Sequence, residues 1–215
     1  MCIRDRLPAD VSFAFAPYGA DLPAEVSRAR DRGHEVFLQA PMEPFDYPQN
    51  DPGPHTLTVK AAPDDMVGDL RWLMTRFTGY VGLINFLGAR FTSSEQAVTP
   101  FLRELAARGV AFVDDGSSPQ SLADGVGAAL GVARARADLV IDVDRKHEAI
   151  EAALTKLETI ARQKGSAIGV ASAVPQSIEH LARFARALEQ RGVALVPASA
   201  LLARTTGPQA ENRRP

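Results

Sequence analysis

Residues Gly33 to Leu57 read GHEVFLQAPMEPFDYPQNDPGPHTL, and this stretch decides how the chain is to be read. It opens as an apolar strand, Glu35 to Ala40, with turn-forming Gly33 just ahead of it. It then enters a long loop holding Pro41, Pro44, Pro48, Pro52 and Pro54. Each proline fixes φ, so the loop is stiff. A stiff loop can hold Gln39, Glu43, Asp46, Tyr47, Asn50, Asp51 and His55 in a fixed array, and loops carried on a rigid scaffold are where sites are built. A structural connection sealing one end of a barrel would have the same composition, and composition leaves both readings open.

Working outward, apolar runs of strand length alternate with amphipathic helical patterns. The pattern predicts strands at Val11–Ala16, Glu35–Ala40, Tyr80–Asn85, Val110–Val113, Leu139–Asp142, Ala167–Ala171 and Val193–Val196. Helices are predicted at Leu22–Arg32, Asp64–Thr75, Ser94–Arg108, Pro119–Leu130, Arg145–Lys164 and Pro175–Arg191. Arg-Gly recurs where a helix gives way to a strand, at Arg32-Gly33, Arg108-Gly109 and Arg191-Gly192. A cation suits the last helical turn, and glycine takes the left-handed position after it. Strict alternation argues an α/β fold with a parallel sheet and right-handed crossovers. Periodicity does not separate an open doubly wound sheet from a closed barrel.

A chain of 215 residues is long enough for one sizeable core. Its 46% hydrophobic and 23% charged content is that of a soluble globular domain. A net charge of −2 gives no reason to propose a nucleic-acid or membrane-surface partner, so neither is expected. The single cysteine, Cys2, allows no internal disulfide, and no apolar run reaches the roughly 18 residues of a membrane-spanning helix. Met1–Arg6, MCIRDR, has no apolar periodicity and reads as a non-native leader. One domain is expected over residues 7–203, followed by a polar, disordered tail over 204–215.

In either parallel architecture ligands gather at the carboxyl ends of the strands. The residues expected there are Pro17 and Tyr18, Gln39, Glu43 and His55, Asn85 and Arg90, Asp114 and Asp115, Asp142 and Asp144, Ser172 and Ser199. A strand-end aspartate also serves as a helix cap, and for Asp114 and Asp142 both roles stay open. Glu43 is the best acidic candidate, against a plain salt bridge with Arg90 from the next strand end. Tyr18 and Tyr47, on loops at this face, suit stacking on sugar rings. His34 reads as a structural hydrogen-bonder, and His147 and His180 as solvated or helix-packing residues. Trp72, Phe77 and Tyr80 read as core packing. No nucleophile elbow, dinucleotide fingerprint, phosphate loop or H-E-x-x-H string is present.

The segments FAFAPYG (Phe13–Gly19), GHEVFLQAPMEP (Gly33–Pro44), NDPGPHTL (Asn50–Leu57) and GYVGLINFLGARFT (Gly79–Thr92) resemble the divergent polysaccharide deacetylase family. So do RGVAFVDDGSS (Arg108–Ser118), LVIDVD (Leu139–Asp144), AIGVASAVPQSI (Ala167–Ile178) and LVPAS (Leu195–Ser199). The resemblance implies an irregular, roughly seven-stranded parallel β/α barrel related to the TIM barrel, here lacking its first strand. It implies a hydrolase that removes acetyl groups from polysaccharides using a divalent metal, commonly zinc, held by an Asp and two His. It also implies a periplasmic or cell-envelope setting.

This sequence departs from that pattern where the metal would sit. Gln39 stands where relatives carry the His of LLHxPMEP, Phe86 replaces a second His, and Ser172 a third. A phenylalanine cannot ligate a metal, and an amide is a poor zinc ligand beside imidazole. The expected reading is therefore a deacetylase-like domain acting on, or binding, an acetylated cell-envelope glycan, with no metal at the family's site. Glu43, Asp114 and Asp142 are the candidate catalytic carboxylates. Tyr18, Gln39, Tyr47, His55, Asn85, Arg90 and Ser172 are the candidate substrate contacts. The alternative is a non-catalytic module that binds a glycan or protein on the same fold.

Overall fold

A computed structural model describes residues 6–202. All but the last residue of the expected leader, and the expected tail, lie outside that range. The architecture is α/β with parallel pairing throughout. Five strands, β1 (Phe13–Phe15), β2 (Val36–Met42), β3 (Gly82–Leu87), β4 (Ala111–Asp114) and β5 (Arg134–Arg136), form one sheet in that order. Strands β6 (Leu139–Val140) and β7 (Gly169–Val170) form a second. The helices are α1 (Leu22–Asp31), α2 (Pro63–Met74), α3 (Ala89–Thr92), α4 (Glu95–Arg108), α5 (Ala123–Leu130), α6 (His147–Lys164) and α7 (Pro175–Leu188).

Strand β2 is buried along its length except at Gln39, which is why its sequence runs apolar rather than alternating. Leu38, Leu83 and Phe112 face the helices and join Leu70, Phe101, Leu102 and Leu105 in the main core. Phe37, Ile84 and Val113 point the other way and pack with Val170, Ala198 and Leu202. The C-terminal segment thus covers the second face of the sheet. Helix α4 shows how local signals set the ends: the Ser94 side chain accepts the Ala97 N–H at 3.3 Å, and Gly109 turns the chain at φ 66°.

The expected irregular barrel lacking its first strand is met only as far as a parallel α/β fold that does not close: among the described residues the strands fall into a five-stranded and a two-stranded sheet. Residues 134–140 connect them. Arg134–Arg136 pair with β4, the Ala137 N–H reaches the Asp114 carbonyl at 2.8 Å, and the Asp138 N–H reaches the Ile168 carbonyl at 2.8 Å. Strand β5, with its two arginines, has no apolar run and was not expected from the sequence. The expected strand Val193–Val196 is absent. That segment is instead tied down by side chains: the Ala198 N–H donates to the Ser12 hydroxyl, and the Ser199 N–H and hydroxyl both donate to Glu35. Ser199 therefore belongs to a clasp between the C-terminal segment and the start of β2.

Candidate functional site

The Gly33–Leu57 loop owes its shape to its own return. Leu57 bridges Met42 in parallel, with the Leu57 N–H on the Pro41 carbonyl and the Glu43 N–H on the Leu57 carbonyl, each at 2.9 Å. Glu43, 3% exposed, lies at the crossing point. One carboxylate oxygen meets Arg90 Nη1 at 2.9 Å, and the other accepts the Val59 N–H at 2.7 Å. Its carbonyl accepts the Phe91 N–H at 3.1 Å. Of the two readings of Glu43, the salt bridge to Arg90 is therefore the one formed, and the residue ties three chain segments together.

The other strand-end groups divide between the two faces of the sheet, because side chains alternate along a strand. Gln39 lies on the same face as Phe37 and is paired in register with Ile84. Asn85 and Asp114 lie on the opposite face, in step with Leu83 and Phe112, and both are buried. Asn85 donates to the Leu87 carbonyl at 2.8 Å and accepts the Asp115 N–H at 2.8 Å, so it clamps β3 to the turn after β4. One oxygen of Asp114 accepts the Gly116 N–H at 2.8 Å. Its other oxygen, Oδ2, is buried without a hydrogen-bond partner among the described residues. An unmatched buried carboxylate oxygen is costly, and among these strand-end carboxylates Asp114 is the one that carries it. Asp142 is buried, and its Oδ2 accepts the Ser172 N–H at 2.9 Å and the Ser177 hydroxyl at 2.7 Å. Ser172 thus contributes its backbone there, while its side chain is exposed. These residues are expected at one end of the sheet, and there strand parity sets Gln39 on one face and Asn85 and Asp114 on the other.

A second place gathers the loop residues. Tyr47, Asp51, Gly53, Pro54, His55, Thr56 and Asp69 line an open cleft of about 450 Å³. The Tyr18 hydroxyl donates to the Pro54 carbonyl, and a Cβ on Gly53 would come within 3.0 Å of the Tyr18 ring. Partial burial and the nearby Asp51 carboxylate push the Tyr18 pKa up to about 12. His55 holds φ at 58°, outside the usual range for a side-chain-bearing residue. Its ring is stacked on Trp72 at 3.8 Å between centroids, and its Nδ1 meets Asp69 Oδ1 at 2.7 Å. Trp72 therefore does not simply pack in the core as its sequence context suggested; the Arg76 guanidinium lies 4.7 Å from the ring centroid as well. Asp69 and Trp72, three residues apart on α2, are the partners that sequence reasoning missed. Their i, i+3 spacing marks a shared helix face, but nothing local tied that face to His55.

A third cluster lies where α6 packs on α7. His147, Glu151 and His180 present ligand-type atoms all within 4.8 Å of one another. As expected, His147 is exposed on α6 and His180 is packed between α6 and α7, and Glu151 joins them there. The i, i+4 spacing of His147 and Glu151 was the available signal.

A model of the divergent polysaccharide deacetylase family matches residues 4–202. The chain belongs to that family. It is 22% identical over 196 residues to the uncharacterized protein YibQ of Escherichia coli K12, covering 91% of this chain and 60% of that protein. An uncharacterized protein of Haemophilus influenzae is 22% identical over 173 residues, covering 80% of this chain and 61% of its own length. The chain thus spans about 60% of the length of these curated relatives. The crystal structure of the uncharacterized protein ATU2773 from Agrobacterium tumefaciens C58 superposes with a TM-score of 0.91 at 39% identity. That match covers 93% of this chain and 81% of the other.

The three histidine positions that the resemblance implies carry Gln39, Phe86 and Ser172 in this chain. The Phe86 and Ser172 side chains are exposed, and Gln39 faces the apolar set of Phe37 and Ile84. These three side chains do not fit the zinc that the resemblance implies, because only Gln39 and Ser172 offer oxygen atoms, both neutral.

Proposed function

We propose that this chain is a glycan-recognising domain of the deacetylase type, engaging an acetylated cell-envelope polysaccharide without metal-dependent turnover at the family's site. The observation that carries this reading is the open cleft bounded by Tyr47, Asp51, Gly53, His55 and Asp69, beside the stacked His55–Trp72 pair. Sugar recognition uses an aromatic face for the C–H surface and fixed polar groups for the hydroxyls, and this cleft offers both. Membership of the divergent polysaccharide deacetylase family supports a polysaccharide as the ligand. Against turnover stand the engaged states of Glu43 and Asp142, whose carboxylates are already occupied by Arg90, Val59, Ser172 and Ser177. We read the two linked sheets and the covering C-terminal segment as an irregular form of the family's β/α barrel. A periplasmic or envelope location follows from the proposed substrate.

Trp72 is the only tryptophan, so its emission reports this cleft alone. Titration with N-acetylglucosamine oligomers is expected to give a saturable emission change that Tyr47→Ala abolishes. The same protein is expected to release no acetate. No emission change with acetylated oligomers would overturn glycan binding here, and acetate release at a catalytic rate would overturn the absence of turnover.

A second reading, docking of a protein, is favoured by one observation. Phe45, Phe86 and Val143, each on a strand or within three residues of its end, are exposed, Val143 to 82%. Exposed apolar residues gathered at one edge are a common mark of a partner surface. Replacing Phe45 and Phe86 together by serine leaves glycan titration unchanged under the first reading and removes partner capture under the second.

A further inference from the structure

We propose that His147, Glu151 and His180 form a zinc-class divalent metal site that pins α6 to α7, apart from the strand-end positions discussed above. His147 and Glu151 are four residues apart and share one face of α6. His180 comes from α7 and is buried to 3% exposure. His180 Nδ1 lies 2.5 Å from Glu151 Oε1, and the His147 and His180 rings are 4.4 Å apart. All three donor atoms fall within 4.8 Å of one another. Ligands around tetrahedral zinc stand roughly 3.4 Å apart, given bonds near 2.0–2.1 Å, so the half-exposed Glu151 carboxylate must swing about 0.9 Å from His180 Nδ1 and the exposed His147 turn inward to close the set. Two imidazoles and one carboxylate leave a fourth position for water, a donor set zinc favours.

The hydrogen-bond arithmetic at His180 points the same way. Its Nδ1 faces the Glu151 oxygen at 2.5 Å and the Arg183 Nη2 at 2.9 Å. With a proton on Nδ1 the Glu151 contact is satisfied, but the N–H confronts a guanidinium donor. Without that proton the Arg183 contact is satisfied, but two lone pairs meet at 2.5 Å. No tautomer serves both neighbours. A cation bound by the Nδ1 lone pair and the carboxylate resolves the conflict. Arg183, which also meets Glu151 at 3.1 Å, supplies the positive charge in the metal-free protein. Its side chain is 47% exposed and can turn to solvent when a metal enters.

The test is calorimetric titration of the untagged full chain with zinc chloride, repeated with cobalt(II) and followed by visible absorption. The proposal expects one saturable equivalent and a cobalt spectrum of nitrogen–oxygen tetrahedral type. His147→Ala and Glu151→Gln, both at solvent-accessible positions, are each expected to weaken binding by at least about tenfold, since even ligand-supporting groups are worth that much. Arg183→Ala is expected to tighten it by removing the competing cation. Binding should also weaken as pH falls, because both imidazoles must give up their protons. A wild-type equivalent unaffected by His147→Ala overturns the site. So does the absence of saturable binding in both the wild type and Arg183→Ala. The result is independent of glycan binding, which reads a different part of the molecule.

Discussion

Truncating Arg90 to alanine would leave the buried Glu43 carboxylate with one charged-group partner fewer and the Val59 N–H still in place. Removing one member of a fully buried ion pair costs about 3–5 kcal/mol. Here Glu43 is 4% exposed at its side chain but Arg90 is 40% exposed, so water already shares part of the guanidinium. The expected loss is therefore smaller, about 1–3 kcal/mol. For a domain of this size each kcal/mol moves the midpoint by about 2–4 °C, so Arg90→Ala should melt roughly 4–8 °C below the wild type at the centre of that range. Glu43→Gln keeps the shape and the Val59 bond but removes the charge. In the double variant the loss from Arg90→Ala should largely vanish, giving a coupling of about 1 kcal/mol or more. Thermal and urea unfolding followed by circular dichroism measure the midpoint and the free energy at all four corners of the cycle. A midpoint shift under about 1 °C with coupling below about 0.5 kcal/mol would refute the reasoning. Glu43 would then be free of Arg90 in solution and available as an acid or base.

Tyr18 has its pKa raised to about 12, so the folded state holds the phenol proton more tightly than the unfolded chain does. Its stabilising contribution is fully present below the ordinary value near 10 and is lost as pH rises towards 12; alkaline unfolding of Tyr18→Phe should therefore fall less steeply with pH. Gly88→Ala should cost about 2 kcal/mol or more, because the residue holds φ 90° and its new Cβ would sit 2.5 Å from that of Met42; normal stability on urea unfolding would contradict this. Asp114→Asn should raise stability by about 1 kcal/mol in the free protein, since it removes charge from a buried oxygen that nothing compensates; a loss of stability would mean that Oδ2 is already served.

How far the sequence could be read depended on whether a feature is local. The alternation of strands and helices is a periodicity, so β2, β3, α2 and α4 fall within a residue or two of expectation. Strand β5 is held by pairing with β4, and its RAR sequence carries no periodic signal at all. The opposite error occurred at Val193–Val196, where an apolar run has β-propensity but no neighbour to pair with. There the packing of Ala198 and Leu202 and the Glu35–Ser199 contacts decide the conformation. The Glu43–Arg90 bond was legible as one of two options, because consecutive strand ends in a parallel sheet are neighbours in space.

The site was less legible for a reason that lies in strand geometry. Residues following successive parallel strands share an edge of the sheet, and that much the sequence can say. Which face each one addresses depends on parity within the strand, so one residue of register moves a side chain from one layer to the other. The register pairs Gln39 with Ile84, which places Asn85 one step on and hence on the opposite face. Asp114 follows Val113, the partner of Ile84, and shares the face of Asn85. A carboxylate buried on that face meets backbone N–H groups of the next turn, and Asp114 finds one in Gly116 but none for Oδ2. An oxygen left unmatched is unfavourable in the free protein, and only interaction with something else recovers that free energy. Of the three carboxylates singled out at the strand ends, Glu43 and Asp142 are committed to holding the fold together, and Asp114 alone keeps an oxygen in reserve.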